Sequence, residues 1–231
     1  CRILCRVLRK EGYALRDQLT DPQMIRRHYR GCKGNMDKTL TSIKNSIKWR
    51  EDSLINTFPH IFSENSLLWN IQMQAFMRFE NSTGKCYVRG YDRDGRATLV
   101  MHPRNENSPS GEDAFTHILY NIERAIACTR RRTNGALNTF NVIVDFEGYA
   151  STQSPSLNRT KESLSIAQNH YPERLHRAFL VDTTGFMKLL WGLVKPFINP
   201  ITKAKIVYIP REKAWSTLSK TYEARELESR I

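Results

Sequence analysis

Among the polar side chains set in the apolar frame between Gln168 and Ile209, three could hold a ligand: the carboxylate of Glu173, the hydroxyl of Thr202 and the ammonium of Lys205. A carboxylate accepts hydrogen bonds from hydroxyls, an ammonium pairs with an anion, and a threonine hydroxyl donates to an anion's oxygen. Each also has a plain structural reading. Glu173 next to Arg174 can form a local ion pair, and Lys205 can be a solvated lysine at a strand edge.

Groups that would do covalent chemistry are not grouped in the sequence. There is no GxGxxG, GxxxxGK[ST], GxSxG or HExxH, and no cysteine is followed by arginine six positions later. The six histidines do not pair at ligand spacing on a helix, and His170 and His176 read as boundary residues. No catalytic residue, metal ligand or cofactor is expected, and the chain is read as a non-enzyme.

The elements that must position these residues follow from periodicity. Residues 2–16 place Ile3, Leu4, Val7, Leu8 and Leu15 opposite Arg2, Arg6, Arg9 and Lys10, a basic amphipathic helix that either packs on its own domain or lies on an anionic bilayer. Asp21-Pro22 starts a second helix that ends near Gly31, and Met36, Leu40, Ile43 and Ile47 mark a third. Residues 56–82 read as a connector whose Trp69, Met73, Phe76 and Met77 fit a strand or a helix. Asp92-Arg93-Asp94-Gly95-Arg96 is a hairpin turn between CYVRGY and ATLVM. A long helix runs from Ser110 to Arg132, followed by the apolar strand Phe140–Phe146. Then come a helix near 156–170, the strand AFLVD, an apolar helix from Phe186 to Val194, and the strand KIVYI. Strands alternating with helices predict an α/β fold with a mixed, mainly parallel sheet. Residues 211–231 read as a charged, helical tail outside the sheet.

Composition narrows the setting. The net charge is +13, and residues 1–50 hold 13 Lys and Arg against 4 Asp and Glu, so an anionic partner is expected for the N-terminal helices. A nucleic-acid partner is not expected, because the aromatics are not interleaved with the basic runs. Five cysteines with no CxxC pair favour a reducing, cytoplasmic setting over a disulfide frame or a zinc site. No stretch approaches the ~20 apolar residues of a membrane span.

In order, VIVDFEG, QNHYPER and KPFINPITKAKI resemble the lipid-gating half of a CRAL-TRIO domain, and HYRGCKGNMDKTLTSIKNSIKWR resembles its helical N-terminal subdomain. The resemblance covers about Thr20 to Pro210. It implies a helical subdomain over 1–55, a connector over 56–82, a lipid-binding lobe over 83–210 and the tail over 211–231. In members that bind phosphatidylinositol a polar cluster holds the headgroup, and by motif that cluster here is Lys33, Asp92, Glu173, Thr202 and Lys205. The acyl chains would lie in an apolar pocket lined by Leu99, Phe140, Val142 and Phe197. Over it lies a mobile lid helix carrying Phe186, Leu190 and Val194, with Gly185 and Gly192 as hinges.

The implied activity is that of a cytosolic carrier, peripheral to membranes and monomeric, which encloses phosphatidylinositol or a phosphoinositide and exchanges it. The alternative is a membrane-targeting module that senses a phosphoinositide without moving it. Cys32 stands where much of the family has a basic residue, and the family's usual LP-x-x-GG ending is missing. Val88, Leu99, Phe140 and Val142 stand where carriers of phosphatidylcholine have hydroxyl side chains. A buried phosphocholine would lack partners there, at ~1–3 kcal/mol per group. A sterol, fatty acid or other hydrophobe is the better second ligand.

Overall fold

The computed structural model describes residues 2–13, 22–61, 71–107, 112–183 and 191–227. Two compact units emerge, residues 1–58 with 165–174 and residues 59–164 with 175–231.

The first unit is helical. Helices α1 (Arg2–Lys10), α2 (Pro22–Gly31) and α3 (Met36–Asp52) bury Leu4, Leu8, Met24, Ile25, Ile43 and Ile47 in one core. The apolar stripe of α1 is narrower than its sequence suggests. Leu4 and Leu8 point inward, while Ile3 is 66% exposed, and Leu15 lies outside the described residues. Asn35 caps α3 by accepting from the Lys38 N–H at 2.9 Å, the capping chemistry that Asn supplies. Along α3, Trp49 stacks on His170 at 4.3 Å between ring centroids and meets Tyr171 edge-on. Ser46 Oγ donates to the Asn169 carbonyl at 3.2 Å.

The second unit is built on a five-stranded sheet in the order β1 (Cys86–Tyr91), β2 (Ala97–Met101), β3 (Phe140–Asp145), β4 (Leu175–Val181), β5 (Ile206–Ile209). The β1–β2 pair is antiparallel and the other pairs are parallel, so the sheet is mixed and mainly parallel. Helices α4 (Ile71–Ser82), α5 (Glu112–Arg132) and α6 (Leu157–His170) flank it, with short α7 (Pro200–Lys203) and α8 (Ala214–Leu218) towards the C-terminus. The stretch that fitted strand or helix equally is helical in α4, although Trp69 lies outside the described residues. Thr129 of α5 accepts from the Ala97 N–H at 2.8 Å, tying the helix to the start of β2.

Residues 211–227, read from sequence as a tail outside the sheet, instead supply part of the core. Ala214, Leu218, Tyr222 and Leu227 pack with Val100, Ile143, Phe179, Val181 and Ile209. Arg211, Glu212, Lys213 and Lys220 hide this pattern in the sequence, because only every fourth residue turns inward.

Candidate functional site

Register fixes which side chains share a sheet face. Val88, Leu99, Val142, Ala178 and Ile206 form one cross-strand row, and Met101, Val144, Leu180 and Tyr208 form the next. Side chains alternate along a strand, so Phe140 joins this face and Val100, Ile143 and Phe179 belong to the other. The second face is sealed: Val100, Ile143 and Phe179 are each at most 3% exposed beneath the C-terminal segment. The first face is the more open one. Leu99, Phe140 and Ala178 are buried there, but Val88, Val142, Val144, Leu180 and Ile206 are only half-buried and Tyr208 is 46% exposed. The Phe140–Asp145 strand is therefore covered fully on one face and in part on the other.

Consecutive parallel strands step in one direction along the sheet, so right-handed crossovers carry the β2–β3 and β4–β5 connections over a single face. That face is the open one, since Trp191 meets Tyr208 edge-on at 5.9 Å. Residues 191–194 are helical. Phe186 and Leu190, and the Gly185 hinge, lie outside the described residues. Val194, expected on the lid helix, is 6% exposed. Phe197 differs from expectation. Val194 and Ile198, four apart, take the inward positions, which leaves Leu193 and Phe197 outward at 52% and 46% exposure. The Lys161 ammonium lies 4.4 Å from the Phe197 ring centroid.

The polar residues singled out by motif divide between the units. Lys33 and Glu173 belong to the first and Asp92, Thr202 and Lys205 to the second. Lys33 and Glu173 share a property that no motif reveals: both have left-handed backbones, with φ of 52° and 57°. Such a conformation costs about 1–2 kcal/mol for a residue with a Cβ. At Lys33 it follows from how α2 ends. The Gly34 N–H reaches back to the Tyr29 carbonyl at 2.9 Å and the Lys33 N–H to that of Arg30, which turns the chain sharply.

Thr202 and Lys205 sit on one turn ahead of β5. Asn199 caps α7 by accepting from the Thr202 N–H at 2.7 Å, Pro200 takes the first helical position, and the Lys205 N–H returns to the Thr202 carbonyl at 3.0 Å. The Lys205 carbonyl accepts from Ala178 N–H at 3.0 Å, so strand pairing anchors this turn at the head of the open face. Asp92 is engaged elsewhere. Its carboxylate accepts from the N–H groups of Asp94 and Arg96, from Arg96 Nη1 at 3.1 Å and from Asn141 Nδ2 at 2.8 Å. The residue is 6% exposed, so its first duty is to hold the hairpin turn onto β3.

Sequence reasoning also missed a charged node at the carboxyl ends of the strands. Asp145 lies 3.0 Å from Arg104 Nη1, 3.1 Å from Arg211 Nη1 and 3.4 Å from His102 Nδ1. Burial pushes its carboxyl up, but hydrogen bonds from His102, Arg104 and the Glu147 backbone, with the Arg211 charge, hold it well below the usual carboxylate range. His102 with Arg104 and Arg211 lie far from Asp145 in the chain, so no spacing announces them.

The frame is thus a five-stranded mixed sheet with one face buried beneath the C-terminal segment and the other lined by half-buried aliphatics. The CRAL/TRIO domain model matches residues 81–231, more than half of the chain, and the chain belongs to that family. Among its relatives are a CRAL-TRIO domain-containing protein of Schizosaccharomyces pombe (27% identical over 83% of this chain and 18% of that protein) and the phosphatidylinositol transfer protein PDR17 of Saccharomyces cerevisiae (28%, over 79% and 50%). The SEC14 cytosolic factor of Kluyveromyces lactis is 24% identical over 85% of this chain and 65% of its own. The chain thus spans less than two thirds of each. The crystal structure of Sfh5 superposes with a TM-score of 0.66 at 13% identity, over 95% of this chain and 80% of that one, a likeness of fold. Among the described residues no helix is long and apolar enough to cross a membrane.

Proposed function

We propose that this chain encloses a phospholipid, phosphatidylinositol, over the open face of its sheet and exchanges it at membranes. The observation that carries this reading is the contrast between the two faces: the same sheet is sealed by its own C-terminal segment on one side and lined by half-buried aliphatics on the other. Enclosing acyl chains there contributes ~0.8 kcal/mol per CH₂, which lets a carrier lift a lipid out of a bilayer. The names of PDR17 and its relatives support phosphatidylinositol as the cargo. Lys205 would pair the phosphodiester and Thr202 would donate to its oxygen. No chemical step is proposed.

Membrane approach is supported by two features. Leu193, Phe197, Ile201 and Tyr208 are 46–52% exposed in the 191–208 segment. In the first unit Arg2, Arg6, Arg9, Lys10, Arg26 and Arg30 are exposed, and each basic residue near an anionic bilayer contributes ~1 kcal/mol. Val88, Leu99, Phe140 and Val142 offer no hydrogen-bonding group, so a second ligand would be apolar rather than phosphocholine-bearing.

Transfer of labelled phosphatidylinositol between vesicles tests the reading. The double variant Thr202→Ala, Lys205→Ala should lose transfer with its melting temperature unchanged; undiminished transfer would refute the headgroup assignment. Wild-type protein that binds vesicles yet moves no lipid would favour a phosphoinositide-sensing module instead.

A further inference from the structure

Lys161 stands on the second turn of α6, and its ammonium lies 4.4 Å from the centroid of the Phe197 ring, at the end of the short 3₁₀ turn Lys195–Phe197. Both residues belong to the second unit. A lysine on a helix surface ordinarily carries its charged head into water. Glu162, the carboxylate next to it in the chain, is paired with Arg159 at 3.1 Å, and the Lys161 ammonium rests on an aromatic face instead.

The segment that carries Phe197 is held unevenly. Val194 and Ile198 are 6% and 5% exposed and fix it from inside, whereas Leu193, Phe197 and Ile201 are 46–52% exposed. Residues 191–209 include Lys195, Lys203 and Lys205 and no Asp or Glu. Such an apolar surface with cations alone around it is complementary to an anionic bilayer, whose interface takes the apolar side chains and whose phosphates take the ammoniums.

A cation–π contact at an exposed site shifts an equilibrium by about 2–5-fold, and a lysine close to anionic lipid gains a comparable amount. The ammonium can therefore change partners at a bilayer at little net cost. We infer that Lys161 is a latch. In water it holds Phe197 and the turn around it in place, and at an anionic bilayer it leaves the ring for a lipid phosphate as Phe197 enters the interface. The purpose of the latch rests on the carrier reading above; the contact itself does not.

Amide exchange at Ile198, whose N–H donates to the Lys195 carbonyl at 3.2 Å, reads the latch without any lipid. Lys161→Gln should speed that exchange about 2–5-fold, and Lys161→Arg, which keeps a cation over the ring, should not. In vesicle assays Lys161→Gln should raise transfer of labelled phosphatidylinositol between phosphatidylcholine vesicles by a similar factor. It should also lose part of the stimulation that added phosphatidylserine gives the wild type. Unchanged Ile198 exchange in Lys161→Gln, or equal acceleration in Lys161→Arg, would overturn the latch. Full stimulation by phosphatidylserine in Lys161→Gln would overturn the change of partner. Wild-type protein that moves no lipid between any of these vesicles would instead sink the carrier reading, and the exchange measurement would still decide the contact.

Discussion

The carboxylate of Asp92 has two backbone N–H groups, a guanidinium and a buried amide on it at once. Removing it would strand those donors in a place water does not reach, at ~1–3 kcal/mol each. Asp92→Ala should therefore destabilise the protein by about 3 kcal/mol in denaturant titrations. A variant as stable as wild type but poor in lipid transfer would show instead that Asp92 serves the ligand alone. Titrations act at the same scale. His28 is held near 3, and His117 and His170 near 4, in each case first by burial. Groups with a depressed folded pKa bind protons more readily when unfolded, so their contribution is intact above the unfolded value of ~6.5 and fades as pH falls towards 4. Asp145, also depressed, withdraws its contribution below ~3.9. Stability measured from pH 7 to pH 4 should decline steadily before carboxylates of ordinary pKa protonate, and His117→Gln should flatten part of that decline. A flat profile over this range would mean that these rings are open to protons in the native state.

At the scale of elements, the C-terminal segment is the piece that separates a sealed face from an open one. Leu218 is fully buried, and Leu218→Ala should cost about 2–5 kcal/mol. Gly90 makes a second, sharper test. Its φ is +72°, and a Cβ there would meet the Glu226 carbonyl oxygen at 2.3 Å. Gly90→Ala should loosen residues 224–226 from β1, seen as amide exchange accelerating in that segment ahead of the β3–β4 ladder. Unchanged exchange would show that the segment is held without that close approach. The sheet itself was legible because strand runs alternate with helical ones, and the Asp92–Arg96 turn because its chemistry is local. The inward face of the C-terminal segment was not, since Ala214, Leu218 and Tyr222 are separated by an exposed Trp215 and by serine, threonine and lysine residues that read as surface. Nor were the left-handed backbones of Lys33 and Glu173, which depend on how neighbouring turns close rather than on residue type. The turn that carries Thr202 and Lys205 is set locally, with Asn199 as its cap and Pro200 at its first helical position.

For the whole molecule, the proposed function has the excess of positive charge and the open apolar face act in succession. The first would bring the protein to an anionic bilayer, and the second would shield a lipid taken from it. Screening acts on the first and not the second, so raising salt should slow transfer without emptying protein already loaded. The central claim concerns the face bearing Val142, Val144 and Leu180. It is tested most directly by placing an indole there, at Leu180→Trp, and measuring vesicle-to-vesicle transfer of phosphatidylinositol alongside the melting temperature. The account predicts that transfer is lost and the fold survives, because the indole occupies the ligand's place rather than the core. Transfer at the wild-type rate from a folded Leu180→Trp protein would contradict it.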